Sequence, residues 1–196
     1  MADGYNSPMP HKPMPKIYDE AMLYECAVGA LTRKMRTVAE LKRLMREKVR
    51  QQGEEGQLLV EIVIAKLKKQ KYLNDTTYAE SYSRFRRENE KFGRMRVVQD
   101  LKLKGIHGDI IDKAVNAAYQ DVNEEHLARE YLERKRIGKP ATQHAASKVF
   151  RSLVRAGFTS RVIFRILKTW DVDDEMISEL ESEAVEAPEA NQESSS

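Results

Sequence analysis

Apolar residues recur through the middle of this chain at spacings of three and four. They fall at Leu59, Ile62, Val63 and Leu67, then at Ile110, Ile111, Ala114, Val115 and Ala118, and again at Val162, Ile163, Ile166, Leu167 and Trp170. A period of 3.6 residues places each set on one side of an α-helix. No segment reads convincingly as a strand, so the spacing predicts an all-α fold. Helix starts agree with it. Thr37 followed by Glu40 has the capping-box pattern, and Asn74 and Asp75 stand just before Thr76–Glu80 where a side chain can accept the first unpaired amides.

Shifting the chain by 52 residues lays Leu101-Lys102-Leu103-Lys104-Gly105-Ile106 on Leu153-Val154-Arg155-Ala156-Gly157-Phe158, and Ile110, Ile111, Ala114 and Val115 on Val162, Ile163, Ile166 and Leu167. Each block reads helix, glycine, apolar residue, helix, and the glycine suits a left-handed C′ position. A looser copy runs from Ala39 through an acidic loop at residues 51–56 into a helix from Gln57. With a helix in front of each pair, the chain divides into three tandem three-helix repeats, over 17–75, 76–122 and 123–175. Units of about 50 residues are near the lower limit for burying a core alone, so neighbours lean on one another in an elongated array. The arm at 1–16, with four of the six prolines, and the acidic tail at 176–196 are expected to be disordered.

Charge changes the picture more than composition does. Residues 171–196 contain ten acidic residues and no Lys or Arg, which masks a body over 17–170 with 32 Lys and Arg against 20 Asp and Glu. Such a body is drawn to polyanions, with nucleic acid the usual candidate, and the tail is expected to compete for the same surface. The single Cys26 excludes an internal disulfide framework. No apolar stretch is long enough to span a membrane, and a cytoplasmic protein is expected. Phosphate-loop, dinucleotide and serine-hydrolase motifs are missing, and Gly53-Glu54-Glu55-Gly56 reads as a flexible loop that repels phosphate. His11, His107, His126 and His144 are too dispersed for local metal spacing. No catalytic residue, cofactor or metal is expected.

Basic clusters recur where the first helix of each repeat meets the second: Arg33-Lys34-Met35-Arg36, Arg84-Phe85-Arg86-Arg87 with Lys91 to Arg96, and Arg134 to Lys139. Helical spacing with Tyr78 and Tyr82 assigns Phe85 to the core, and Gly93 reads as a break between two helices. A DNA-reading helix in the second repeat is disfavoured by Asp109 and Asp112, whereas Arg161, Arg165 and Lys168 share one face in the third. The expected contacts are Arg33, Arg36, Arg84, Arg87, Lys91, Arg94, Arg96, Lys102 and Lys104, with Arg151, Arg155, Arg161 and Arg165 as a second set.

Three segments carry a family resemblance: Ala27–Leu41, then Tyr72-Leu73-Asn74-Asp75 with Tyr78-Ala79, and then Gly93-Arg94-Met95-Arg96 leading to Asp100-Leu101-Lys102-Leu103-Lys104-Gly105-Ile106. Over roughly residues 20–170 the sequence resembles the RecX family of bacterial recombination regulators. Asp100 stands where that family usually has Glu, a departure read as a matter of capping. The resemblance implies an all-helical, three-repeat protein that binds the RecA filament on DNA, lies along its helical groove and damps its ATPase and strand-exchange activities; single-stranded DNA within the filament is an expected contact, and a monomer is expected. Two other readings stay open: a protein acting directly on nucleic acid, and a helical scaffold for another acidic partner.

Overall fold

The computed structural model describes residues 16–170 and Val172. Their order is α1 (Glu20–Arg33), α2 (Val38–Lys48), a 3-10 turn (Arg50–Gln52), α3 (Gly53–Lys69), α4 (Asp75–Glu88), α5 (Arg94–Leu103), α6 (Gly108–Tyr119), α7 (Glu124–Arg134), α8 (Gln143–Arg155) and α9 (Ser160–Thr169). Among the described residues there is no strand, and the helices form three consecutive triplets. The expectation of disordered ends concerns residues that lie outside those described, apart from Lys16.

Two compact units emerge. Among the described residues, one takes 16–36 together with Glu40–Leu73, and the other takes Thr37–Ala39 together with 74–170 and Val172.

In the first unit α1 packs on α3 and buries Leu23, Ala27 and Ala30 with Leu41, Met45, Val60, Val63, Ile64 and Leu67. The buried stripe of α3 corrects the expected one, because Ile62 is half exposed while Val60 and Ile64 turn inward. Leu58–Ala65 is apolar on most sides, so its spacing fits two registers and packing against α1 chooses between them. The acidic loop at 51–56 is also corrected. Its residues form the 3-10 turn and the first turn of α3, where Glu54 and Glu55 face the positive end of the helix dipole. Gly56 is required there, since a Cβ would sit 2.8 Å from the Val49 carbonyl oxygen. Glu61 joins α3 to α2 through Lys42 at 2.6 Å and Arg46 at 3.0 Å, and the Lys42 hydrogen bond leads in holding its carboxyl below the usual range.

In the second unit the last two triplets share one continuous core that runs from Tyr78 and Leu101 through Tyr131 and Leu153 to Ile166 and Leu167. Asn74 caps α4 as expected, its Oδ1 accepting from the amides of Thr76 at 2.9 Å and Thr77 at 3.2 Å. Asn74→Ala should therefore cost about 1 kcal/mol of stability, read as a lowered denaturation midpoint with an unchanged slope.

Glycines and helix ends hold these triplets together. Gly157 has φ +87 and follows α8, and its carbonyl accepts from Met95 N–H at 3.2 Å while the Ala156 carbonyl accepts from Gly93 N–H at 2.8 Å. The unpaired amides at the start of α5 thus meet the unpaired carbonyls at the end of α8, and both sets are satisfied at once. The aligned glycine in the second triplet is also left-handed, but there the donor is a side-chain hydroxyl rather than the amides of a helix start. Gly105 has φ +74, the Lys104 carbonyl before it accepts from Thr37 Oγ1 at 2.7 Å, and Thr37 is fully buried. Gly93 stands in extended backbone at the break between α4 and α5, as expected; its φ is an ordinary negative one, and what requires a glycine there is the close approach to Gly157.

Candidate polyanion-binding face

Helix α5, RMRVVQDLKL, and helix α8, QHAASKVFRSLVR, each carry three Lys or Arg, and their one carboxylate is Asp100. The apolar sides decide which residues are presented. Val97 and Leu101 of α5 and Ala146, Val149, Phe150 and Leu153 of α8 are buried, and Arg94, Lys102, Lys148, Arg151 and Arg155 emerge on the exposed sides. Asp100 points inward and is 8% exposed. Neither helix presents an exposed carboxylate.

A buried carboxylate is tolerated only when it is paired and hydrogen-bonded. Asp100 Oδ2 accepts from Arg86 Nη2 at 2.9 Å and from the Tyr82 hydroxyl at 3.0 Å, and Arg96 Nε lies 3.0 Å from Oδ1. Arg86 Nε also donates to the Tyr82 oxygen at 2.9 Å. The Phe92 ring lies against both guanidiniums, with centroid distances of 4.9 Å to Arg86 and 5.7 Å to Arg96. Burial, followed by the bond to Asp100, pushes the Tyr82 phenol up; burial opposes the charge on Arg86, but its contacts with Tyr82 and Asp100 raise it overall. At neutral pH Tyr82 is therefore a neutral phenol and Arg86 keeps its charge.

This pairing divides the expected contact residues. Arg87 donates to the Ala118 carbonyl and to Glu88, Lys91 pairs with Glu130 at 3.3 Å, and Arg96 Nη1 reaches the Arg155 carbonyl at 3.5 Å. Lys104 Nζ stands over the rings of Tyr78 and Tyr82. Arg165 pairs with Glu125 at 3.5 Å, and Arg161 is exposed on the same helix. Arg33 and Arg36, in the first unit, bond the Gly29 and Ala30 carbonyls near the end of α1. Arg84 is exposed. Its neighbour Phe85, assigned above to the core, is also half exposed, because α4 turns Tyr78, Ala79 and Ser83 inward and so places position 85 on the solvent side.

The Gly157 junction brings Arg94, Met95 and Arg96 at the start of α5 beside Val154 and Arg155 at the end of α8. Met95 and Val154 stay substantially exposed there. Arg86 and Lys148 are not among the contacts expected from the sequence. Asp100 reads there as a capping detail, although the placement of Tyr82 and Asp100 on otherwise apolar sides is the available signal. Among the described residues no group of His, Cys, Asp and Glu is arranged to hold a metal ion. Nor is any helix there long and apolar enough to cross a membrane.

The family description "RecX, second three-helix domain" matches residues 74–115. The regulatory protein RecX of Myxococcus xanthus strain DK1622 is 30% identical over 165 residues, covering 81% of this chain and 88% of that protein. The regulatory protein RecX of Trichlorobacter lovleyi is 30% identical over 148 residues, covering 74% and 93%. The chain belongs to the RecX family. Two solved RecX structures share its fold. One has a TM-score of 0.60 at 27% identity, covering 76% of this chain and 71% of that one. The other, RecX from Lactobacillus salivarius, has a TM-score of 0.59 at 25% identity, covering 78% and 96%. The matched RecX segment contains Tyr82, Arg86, Phe92, Arg96 and Asp100, so the buried charge cluster falls inside the family's own second domain. The relatives are named as regulators rather than for a chemical reaction.

Proposed function

We propose that this RecX-family chain regulates homologous recombination and DNA repair by binding the RecA filament on single-stranded DNA. It acts as a cytoplasmic monomer without cofactor or metal, lies along the filament groove and slows ATP hydrolysis and strand exchange. The observation that carries the reading is the one-signed exposed surface of α5 and α8, where five exposed Lys and Arg meet no exposed carboxylate. Such a surface gains by displacing counterions from a polyanion, and contacts that are individually weak add through a shared scaffold. Division into three modules over 17–75, 76–122 and 123–175 suits a long groove better than a small ligand.

Retention on RecA filaments, on bare single-stranded DNA and on free RecA, each over a salt series, tests the proposal. Filament-dependent retention that weakens with salt, together with slowed ATP hydrolysis, is the expected result. Equal retention on bare DNA, with RecA ATPase unaffected, would replace it with direct nucleic-acid binding. Lys102→Glu combined with Arg155→Glu should weaken filament retention at least tenfold at low salt and leave helical content unchanged. The same retention as wild type would remove α5 and α8 from the interface.

A further inference from the structure

The exposed junction of α5 and α8 is cationic but not purely polar. Met95 is 60% exposed beside Arg94 and Arg96, and Val154 is 45% exposed beside Arg155. A polyphosphate backbone has no use for those apolar atoms, so the junction also fits a ligand that combines carboxylates with aliphatic side chains. The chain itself contains such a segment. Residues 173–183 read Asp-Asp-Glu-Met-Ile-Ser-Glu-Leu-Glu-Ser-Glu, with six carboxylates around Met176, Ile177 and Leu180 and no Lys or Arg.

We propose that residues 173–183 dock in cis on the α5–α8 junction, with their carboxylates on Arg155 and on the outer edge of Arg94, whose Nη2 donates to Asn116 Oδ1, and their aliphatic side chains on Met95 and Val154. The tail then competes with the anionic partner of that face. The competition rests on the function proposed above; the docking does not. The tether favours it. Val172 packs on the core of the second unit and its amide donates to the Leu167 carbonyl at 3.3 Å, so the acidic segment begins on the unit that carries the junction. Met176 and Leu180 stand four and eight residues beyond Val172, which allows them to reach about 14 Å and about 28 Å from it when extended. A short tether of this kind supplies a local concentration on the order of millimolar.

General repulsion of polyanions by an acidic tail would also weaken DNA binding, so the test must separate contact from net charge. In the full chain, Met176→Ser, Ile177→Ser and Leu180→Ser together keep every carboxylate. Docking predicts that this variant binds a fluorescent oligothymidine about threefold to tenfold tighter than wild type at low salt, with amide shifts at Met95, Arg96, Val154 and Arg155. Neutralising the six carboxylates to Asn and Gln should shift the same amides. If neither variant moves them, or if the shifts fall only on α9 around Arg161, the docking is overturned. If the amides move and the serine variant's oligonucleotide affinity does not change, the competition is overturned. Absence of oligonucleotide and filament binding by every form would instead defeat the function proposed above, while the amide shifts still judge the docking.

Discussion

Gly157→Ala is expected to destabilise the second unit by on the order of 3 kcal/mol, from a left-handed backbone penalty of about 1–2 kcal/mol and an overpacking cost of about 1–3 kcal/mol. At φ +87 an L side chain is strained whatever the space available, and space is lacking as well. A Cβ there would lie 2.2 Å from the Arg96 amide nitrogen and 2.5 Å from Arg96 Cβ. Both are part of a helix that cannot retreat without giving up the bonds from Gly93 and Met95 to the α8 end. Gly93→Ala attacks the same contact from the other side, since its Cβ would meet the Gly157 carbonyl oxygen at 2.3 Å, without a backbone penalty of its own. The two substitutions should be less than additive, because the first already opens the contact that the second would block. Gly138 has no atom within 4 Å of its ideal Cβ, so Gly138→Ala should stay within about 0.5 kcal/mol of wild type. Denaturant unfolding of the wild type, the three single variants and the Gly93→Ala/Gly157→Ala double variant measures all of this, and a Gly157→Ala midpoint equal to that of Gly138→Ala would refute the glycine contact as a structural requirement.

Asp100→Ala should be at least as damaging, at about 3–5 kcal/mol, the range found when one partner of a buried ion pair is removed. The loss is not the attraction itself but what remains: Arg86 is one-quarter exposed and would keep its charge beside a neutral Tyr82 and a second guanidinium on Arg96. Replacing Tyr82 by Phe tests a smaller part of the cluster, removing one 3.0 Å bond to Oδ2 while both arginines stay compensated, and should cost about 1 kcal/mol. Denaturation midpoints distinguish the two cases. An Asp100→Ala protein as stable as Tyr82→Phe would mean that water compensates the arginines and that the carboxylate is not the organising charge.

Both predictions concern residues whose types were visible in the chain from the start. The glycine and the apolar residue after it stand out in the 52-residue shift, and the left-handed conformation follows at Gly105 and Gly157 because only the local chain and the missing Cβ are involved. What each glycine touches was not visible. Gly93 and Gly157 are 64 positions apart, and their contact arises only when the second and third triplets pack into one core. The candidate face divides in the same way. That α5 and α8 are rich in Lys and Arg is a matter of counting, but Arg96 and Lys102, both on α5, have different surroundings because one turns toward Asp100 and the other toward solvent.

Periodicity, helix starts, glycine turns and family membership were thus determined by the amino-acid order alone. Each depends on neighbours within a few turns or on the matching of whole segments. Tertiary structure alone decided the register of α3, the exposure of Phe85, the burial of Asp100 and hence which cations remain at the surface. Those outcomes follow from desolvation. A charge buried among apolar side chains must recruit counter-charges from wherever packing places them, and no local spacing rule specifies helices brought together from distant parts of the chain.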